Sequence, residues 1–158
     1  MGSQHAIVTN AVGASSPVSV TVATFGPAFF AWPNNQVVAT RQDFSCAVAA
    51  GTFPGTTTVP AKPGDTIILW GTGFGPTNPT VTQGLETPSD ATYATATLPM
   101  VTIDNLPATV YGAALAPGFA GLYQVAIQVP TSLGTGNWPV VATIGGVSSP
   151  SNLVLAVQ

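Results

Sequence analysis

The sequence predicts an all-β fold, an antiparallel β-sandwich with long Gly/Pro/Thr-rich loops, and three observations predict it. Short segments that alternate apolar and polar residues, or run apolar throughout, recur along the 158 residues. The 17 Gly and 15 Pro interrupt every stretch in which an apolar period of 3.6 residues would have to persist. The gaps between the segments read as turns and loops rather than as the helical crossovers that parallel strands need.

In chain order, "PVSVTVA" puts Val18, Val20 and Val22 on one face at the two-residue period of a strand. "PAFFAWPNNQ" offers aromatics followed by a turn, and "QVVAT" a short strand. Arg41 to Ala50 is the best short helical candidate, and "AAGTFPGTTTVPAKPGD" is a long connection. "DTIILWG" is a near-continuous apolar run that places Trp70 in the core, and residues 77–99 read as a loop with at most short strands. "MVTIDN" and "ATVYGAAL" flank a turn at Asp104-Asn105-Leu106-Pro107. "LYQVAIQVP" sets Tyr123, Val125, Ile127 and Val129 against Gln124, Ala126 and Gln128, and "WPVVATIGG" and "NLVLAVQ" complete the strands.

Two phrases nearly repeat: "ASSPVSVTVA" at 14–23 and "VSSPSNLVLAV" at 147–157. If the second closes the domain, the first reads as the closing strand of a preceding unit. The chain therefore divides into residues 1–24, an N-terminal strand segment resembling the last strand of a preceding repeat, and 25–158, the sandwich. Such a strand has two fates, addition to the edge of its own sandwich or pairing with the edge of another copy, with Val18, Val20 and Val22 as the strand-exchange residues.

Charged residues make up only 4% of the chain, against about a quarter in ordinary globular proteins. Arg41 and Lys62 are the only Lys or Arg, so no basic stripe exists to neutralise phosphates, and nucleic acid and anionic membrane surfaces are excluded as partners. No apolar run approaches the ~20 residues that span a bilayer, so no membrane insertion is expected. A net charge of −3 leaves little repulsion between copies, which eases self-association. The single Cys46 reads as a small buried hydrophobe.

"PAKPGDTIILWGTGFGPTNP" (60–79), "LAPGFAGLYQVAIQVP" (115–130) and "PVVATIGGVSSPS" (139–151) resemble the repeat-bearing C-terminal domain of secreted acidobacterial proteins of the Solibacter type. "GDTIILWGTGFG" is also similar to the opening strand and turn of TIG/IPT domains. The resemblance implies an immunoglobulin-like sandwich carried on extracellular or cell-surface proteins. It brings no catalytic residues with it.

No catalytic constellation appears in the sequence. "GTGFGP" (71–76) superficially matches a phosphate-binding glycine loop, but "TNPTVTQG" cannot continue as the helix such a loop needs; the glycines read instead as a turn allowing close approach of chain segments. His5, in a start that reads as flexible, cannot assemble a hydrolase triad, and Asp43, Asp65, Glu86, Asp90 and Asp104 are scattered singly. Asp65 and Asp104 fit turns, and Glu86 with Asp90 lacks the spacing of a calcium loop. Lys62, in an exposed "AKPGD" turn, is poorly placed for an isopeptide crosslink. Trp32, Tyr93 and Trp138 are candidate faces for stacking a sugar. The sequence thus reads as a non-enzymatic extracellular module, without cofactor or metal, that assembles with copies of itself or with adjacent repeat domains, in the extreme as a head-to-tail filament. A carbohydrate- or surface-binding module using the loop aromatics, with a polysaccharide as partner, is the alternative.

Overall fold

In the computed structural model, which describes residues 2–158, the described chain is strand, turn and loop apart from one 3-10 turn at Pro33–Asn35. The first four strands form a hairpin arm: β1 (Gly2–Ala6), β2 (Thr9–Asn10), β3 (Gly13–Ala14) and β4 (Val18–Val22), with β1 antiparallel to β4 and β2 to β3. The sandwich begins with four two-residue strands, β5 (Ala28–Phe29), β6 (Ala31–Trp32), β7 (Gln36–Val37) and β8 (Ala39–Thr40). It continues with β9 (Thr66–Thr72), β10 (Thr77–Asn78), β11 (Ala94–Thr95), β12 (Met100–Ile103) and β13 (Leu106–Leu115). β14 (Tyr123–Gln128), β15 (Gly136–Ile144), β16 (Val147–Ser148) and β17 (Val154–Val157) complete it.

One layer runs β5/β8, β9, β14, β13, and the other β12, β15, β17, β7. Taking the segment β5–β8 that leads into β9, the leader, as A, and β9, β12, β13, β14, β15 and β17 as B to G, the layers are ABED and CFG, the order of seven-strand immunoglobulin sandwiches. The layers are stitched at both sides. β12 and β13 form a hairpin whose turn, Asp104-Asn105, takes positive φ at both residues (52° and 62°), and β13 then passes into the first layer across an irregularity between Val110 and Gly112. On the other side the leader crosses over: β7 lies parallel to β17, and β8 antiparallel to β9.

The two-residue alternation fills the space between the layers. Ile67 and Leu69 of β9, Val101 and Ile103 of β12, Val125 and Ile127 of β14, Val140 and Ala142 of β15 and Leu155 of β17 are buried in one cluster. The opposite face of β14 carries Gln124, Ala126 and Gln128, all half-buried. The same alternation overturns one expectation: Ile67 and Leu69 point inward, so Trp70 points outward, and its indole N–H donates to Thr40 Oγ1 at 2.8 Å. The helical reading of residues 41–50 also fails. Phe44 adopts φ 62° in a turn whose ends meet as a bridge between Thr40 and Cys46.

Truncating the core at either layer should cost about 2–5 kcal/mol. Urea unfolding of Ile127→Ala and Leu155→Ala, both fully buried, measures this, with an unchanged m-value as the sign that the fold itself persists.

Candidate functional site

Residues 2–24 are exposed without exception. β1 and β4 pair Gly2 with Val22, Gln4 with Val20 and Ala6 with Val18, which puts three valines, Ala6 and Gln4 on one face and Ser3, His5, Ser19 and Thr21 on the other. Val18, Val20 and Val22 are 61%, 42% and 49% exposed. The predicted strand is real; it does not join the edge of its own sandwich, and pairs instead with residues 2–6. Residues that carry few long apolar groups sufficed for this partner strand, and His5 stands in an ordered ladder opposite Ser19 rather than in a loose start. At the tip, Asn10 Oδ1 accepts the amides of Val12 (2.9 Å) and Gly13 (3.2 Å), an Asx turn that closes the hairpin locally.

The arm leaves the sandwich from a fixed root. The Gly26 amide donates to the Gly73 carbonyl at 3.0 Å, and Gly73 (φ 76°) can hold no side chain there: a Cβ would lie 1.9 Å from the Gly26 oxygen. Phe25 packs against the core in a slot between Gly75 and Gly145, where an added Cβ would come within 2.4 and 2.3 Å of its ring. The Tyr123 hydroxyl donates to the Gly75 carbonyl and so holds one wall of the slot. Burial raises the Tyr123 pKa above its usual value near 10. The "GTGFGP" glycines therefore serve close approach of the arm's root.

The stacking candidates do not converge. Tyr93 is 7% exposed, its ring in the core and its hydroxyl donating to Asp90 Oδ1 at 2.9 Å, so it has no free face for a sugar; that hydrogen bond is the main cause that raises its pKa. Trp138 shares the inward face of β15, packs against the core and donates its indole N–H to the Gly134 carbonyl at 2.8 Å. Trp32 is half-buried on β6, edge-on to Phe53 with ring centroids 5.3 Å apart.

The other singled-out side chains have local partners. Arg41 donates to the carbonyls of Cys46 (3.0 Å), Val59 (3.2 Å) and Pro60 (2.7 Å) and lies 3.8 Å from Asp65. Asp65 also accepts the Lys62 amide at 2.9 Å, closing the turn in which Lys62 is exposed. Hydrogen bonds from Ser45 lower the pKa of Asp43. Cys46 is a free, half-buried thiol rather than a fully buried one. Among the described residues no three His, Cys, Asp or Glu side chains come together as metal ligands. On the outer face of the first layer, Ile68, Ala94, Gly112, Ala114, Gln124 and Ala126 line an open, uncharged groove of about 300 Å³.

Two predictions follow from the root. Phe25→Ala should leave the sandwich folded while speeding amide exchange at Gly26, read by hydrogen exchange with mass spectrometry. Because the folded-state pKa of Tyr123 is raised, its contribution is fully present below about pH 10 and is lost as pH rises through the folded value. Stability should thus fall in alkali, and less so in Tyr123→Phe, which at neutral pH should be about 1 kcal/mol less stable through loss of the bond to Gly75.

No protein-family model, no curated protein and no solved structure matches this chain.

Proposed function

We propose that this protein is a non-enzymatic structural module of extracellular or cell-surface proteins, joined through its N-terminal arm to the neighbouring unit, whether an adjacent repeat domain or another copy. One observation carries the reading: an ordered ribbon, exposed throughout, presents Val18, Val20 and Val22 on one face with nothing against them. A two-stranded hairpin alone in water is marginal, and an apolar face on it gains by being covered. The arm bears no Lys, Arg, Asp or Glu, so covering it strips water from no permanent charge. The root supports the reading too, because it holds the arm out from its own sandwich. The uncharged groove on the outer face of the first layer offers a landing surface on a second copy. An arm-to-sandwich contact between copies is heterologous and propagates into a filament when it does not close into a ring. The resemblance to Solibacter-type C-terminal repeats supports the extracellular setting.

Light scattering and electron microscopy of the purified chain test assembly between copies. The expected result is concentration-dependent growth that the triple variant V18S/V20S/V22S abolishes, with the sandwich melting at an unchanged temperature. Monomers at every concentration overturn it. Pull-down on insoluble polysaccharide that is lost in Trp32→Ala, with no assembly, would turn the reading to carbohydrate binding.

A further inference from the structure

The arm repeats, bond for bond, the last hairpin of the sandwich. In the sandwich β15 pairs with β17 as Gly136 with Val157, Asn137 with Ala156, Trp138 with Leu155 and Pro139 with Val154. In the arm Gly2 pairs with Val22, Ser3 with Thr21, Gln4 with Val20 and His5 with Ser19. Adding 134 to the arm's first strand and 135 to its second converts one set into the other. The tips agree as well: Thr9 with Ala14 and Asn10 with Gly13 match Thr143 with Ser148 and Ile144 with Val147, each enclosing a two-residue turn.

A serine fixes the correspondence. Ser15 donates its amide to the Val8 carbonyl (2.9 Å) and accepts the Val8 amide on Oγ (3.1 Å). Ser149 makes the same two bonds to Ala142, at 2.8 and 3.0 Å. Each Oγ also donates to the next residue's carbonyl, at 3.1 Å for Ser15 and 3.4 Å for Ser149. The hairpins differ by one residue, Ser16-Pro17 in the arm against Pro150-Ser151-Asn152 in the sandwich.

We infer that the arm is the closing F–G hairpin of a second immunoglobulin-like sandwich, and that its partner is a strand set of that kind lacking its last two strands. The inference rests on the proposed reading of the arm as the joining element and names what it joins. The face correspondence identifies the partner. Leu153, Leu155 and Val157, the counterparts of Val18, Val20 and Val22, are all buried, as is Val140, the counterpart of Ala6. The arm's valine face is therefore a core-facing surface whose core is supplied by other strands. An intact copy of this chain has that place filled by its own hairpin, which brings Trp138 and Leu155 where the arm brings Gln4 and Val20. The vacant place belongs to a unit without such a hairpin. Once docked, the arm would continue through Ala23 and Thr24 to Phe25, held in the slot beside the Gly145 turn, so two sandwiches would follow one another at a fixed angle.

The test fuses residues 25–135 directly to Gly2 of the full chain, so that the arm follows Thr135 as Gly136 does in the sandwich. A second fusion carries Gln4→Trp and Ala6→Val in the arm, and a third places residues 25–158 ahead of residue 25, as the control for two intact units in tandem. Amide exchange in the arm should slow by about 100-fold relative to the unfused chain, and the leading segment should resist protease, in the first or second fusion. V18S/V20S/V22S should remove that protection from the leading unit and leave the trailing sandwich unchanged. A leading segment cleaved in both fusions while the tandem control resists overturns the inference, and so does cleavage of the control with arm exchange unchanged. Assembly between copies is read separately, from light scattering of the unfused chain, so either reading can fail without the other.

Discussion

Closure of the sandwich by its last strand is the constraint on which the rest of the structure depends. β17 is antiparallel to β15 on one side and parallel to β7 on the other, and beyond β7 the chain bridges Ala61 to Val157 in the same sense. The Ala61 amide donates to the Ala156 carbonyl at 3.0 Å, and the Gln158 amide to the Ala61 carbonyl at 2.9 Å, so both edges of the terminal strand are occupied. Leu155 beneath these bonds is fully buried. The parallel pairing of Gln36 with Val154 joins residues distant along the chain, a contact whose loop entropy must be overcome before its burial is gained. The arm has the same pairing register without these neighbours and without a facing layer, and its valines are exposed.

The second constraint is the close approach of backbone to backbone where the arm enters the sandwich. Gly26 and Gly73 meet through an amide-carbonyl bond that no side chain at Gly73 would permit, and Phe25 fills the slot that Gly75 and Gly145 leave open. Tyr123 ties this junction to the core, since its ring lies in the central cluster, 5.7 Å from Phe74 between centroids, while its hydroxyl reaches the Gly75 carbonyl. A flexible linker would let the valine face fold back onto nearby apolar surface. The glycine junction instead ties the residue from which the arm departs to the folded sandwich.

The shortage of charge gives the single arginine unusual structural weight. Arg41 gathers the carbonyls of Cys46, Val59 and Pro60, which anchors the long connection between β8 and β9 to the sandwich. Hydrogen bonds to a charged donor contribute about 1.5–3 kcal/mol each, more than neutral ones, so one guanidinium organises a loop with little regular structure of its own. A residue read from composition as one of two cations thus turns out to be a loop clamp. The acceptors are backbone carbonyls, which no side-chain pattern announces.

Alternation of side chains is local, and so the strands were legible in the sequence. Val18 to Val22 and Tyr123 to Val129 each carry their face assignment in the two-residue period, and the Asp104-Asn105 turn is set by residues that tolerate positive φ. The apolar run around Trp70 does not say which parity faces inward; packing of β9 beside β14 decides that. The polar loop around Tyr93 gives no sign of the ring folded under it. The repeated Ser-Ser-Pro phrase was visible, but Gly2 to Ala6 carries no apolar alternation, so the partner strand and the whole-hairpin correspondence emerged only from hydrogen-bond register. By itself the sequence determined the main strands of the sandwich and the valine strand of the arm, and which of their residues seek burial. Only the tertiary structure decided which of those faces find a core, because burial depends on neighbours that lie far off along the chain.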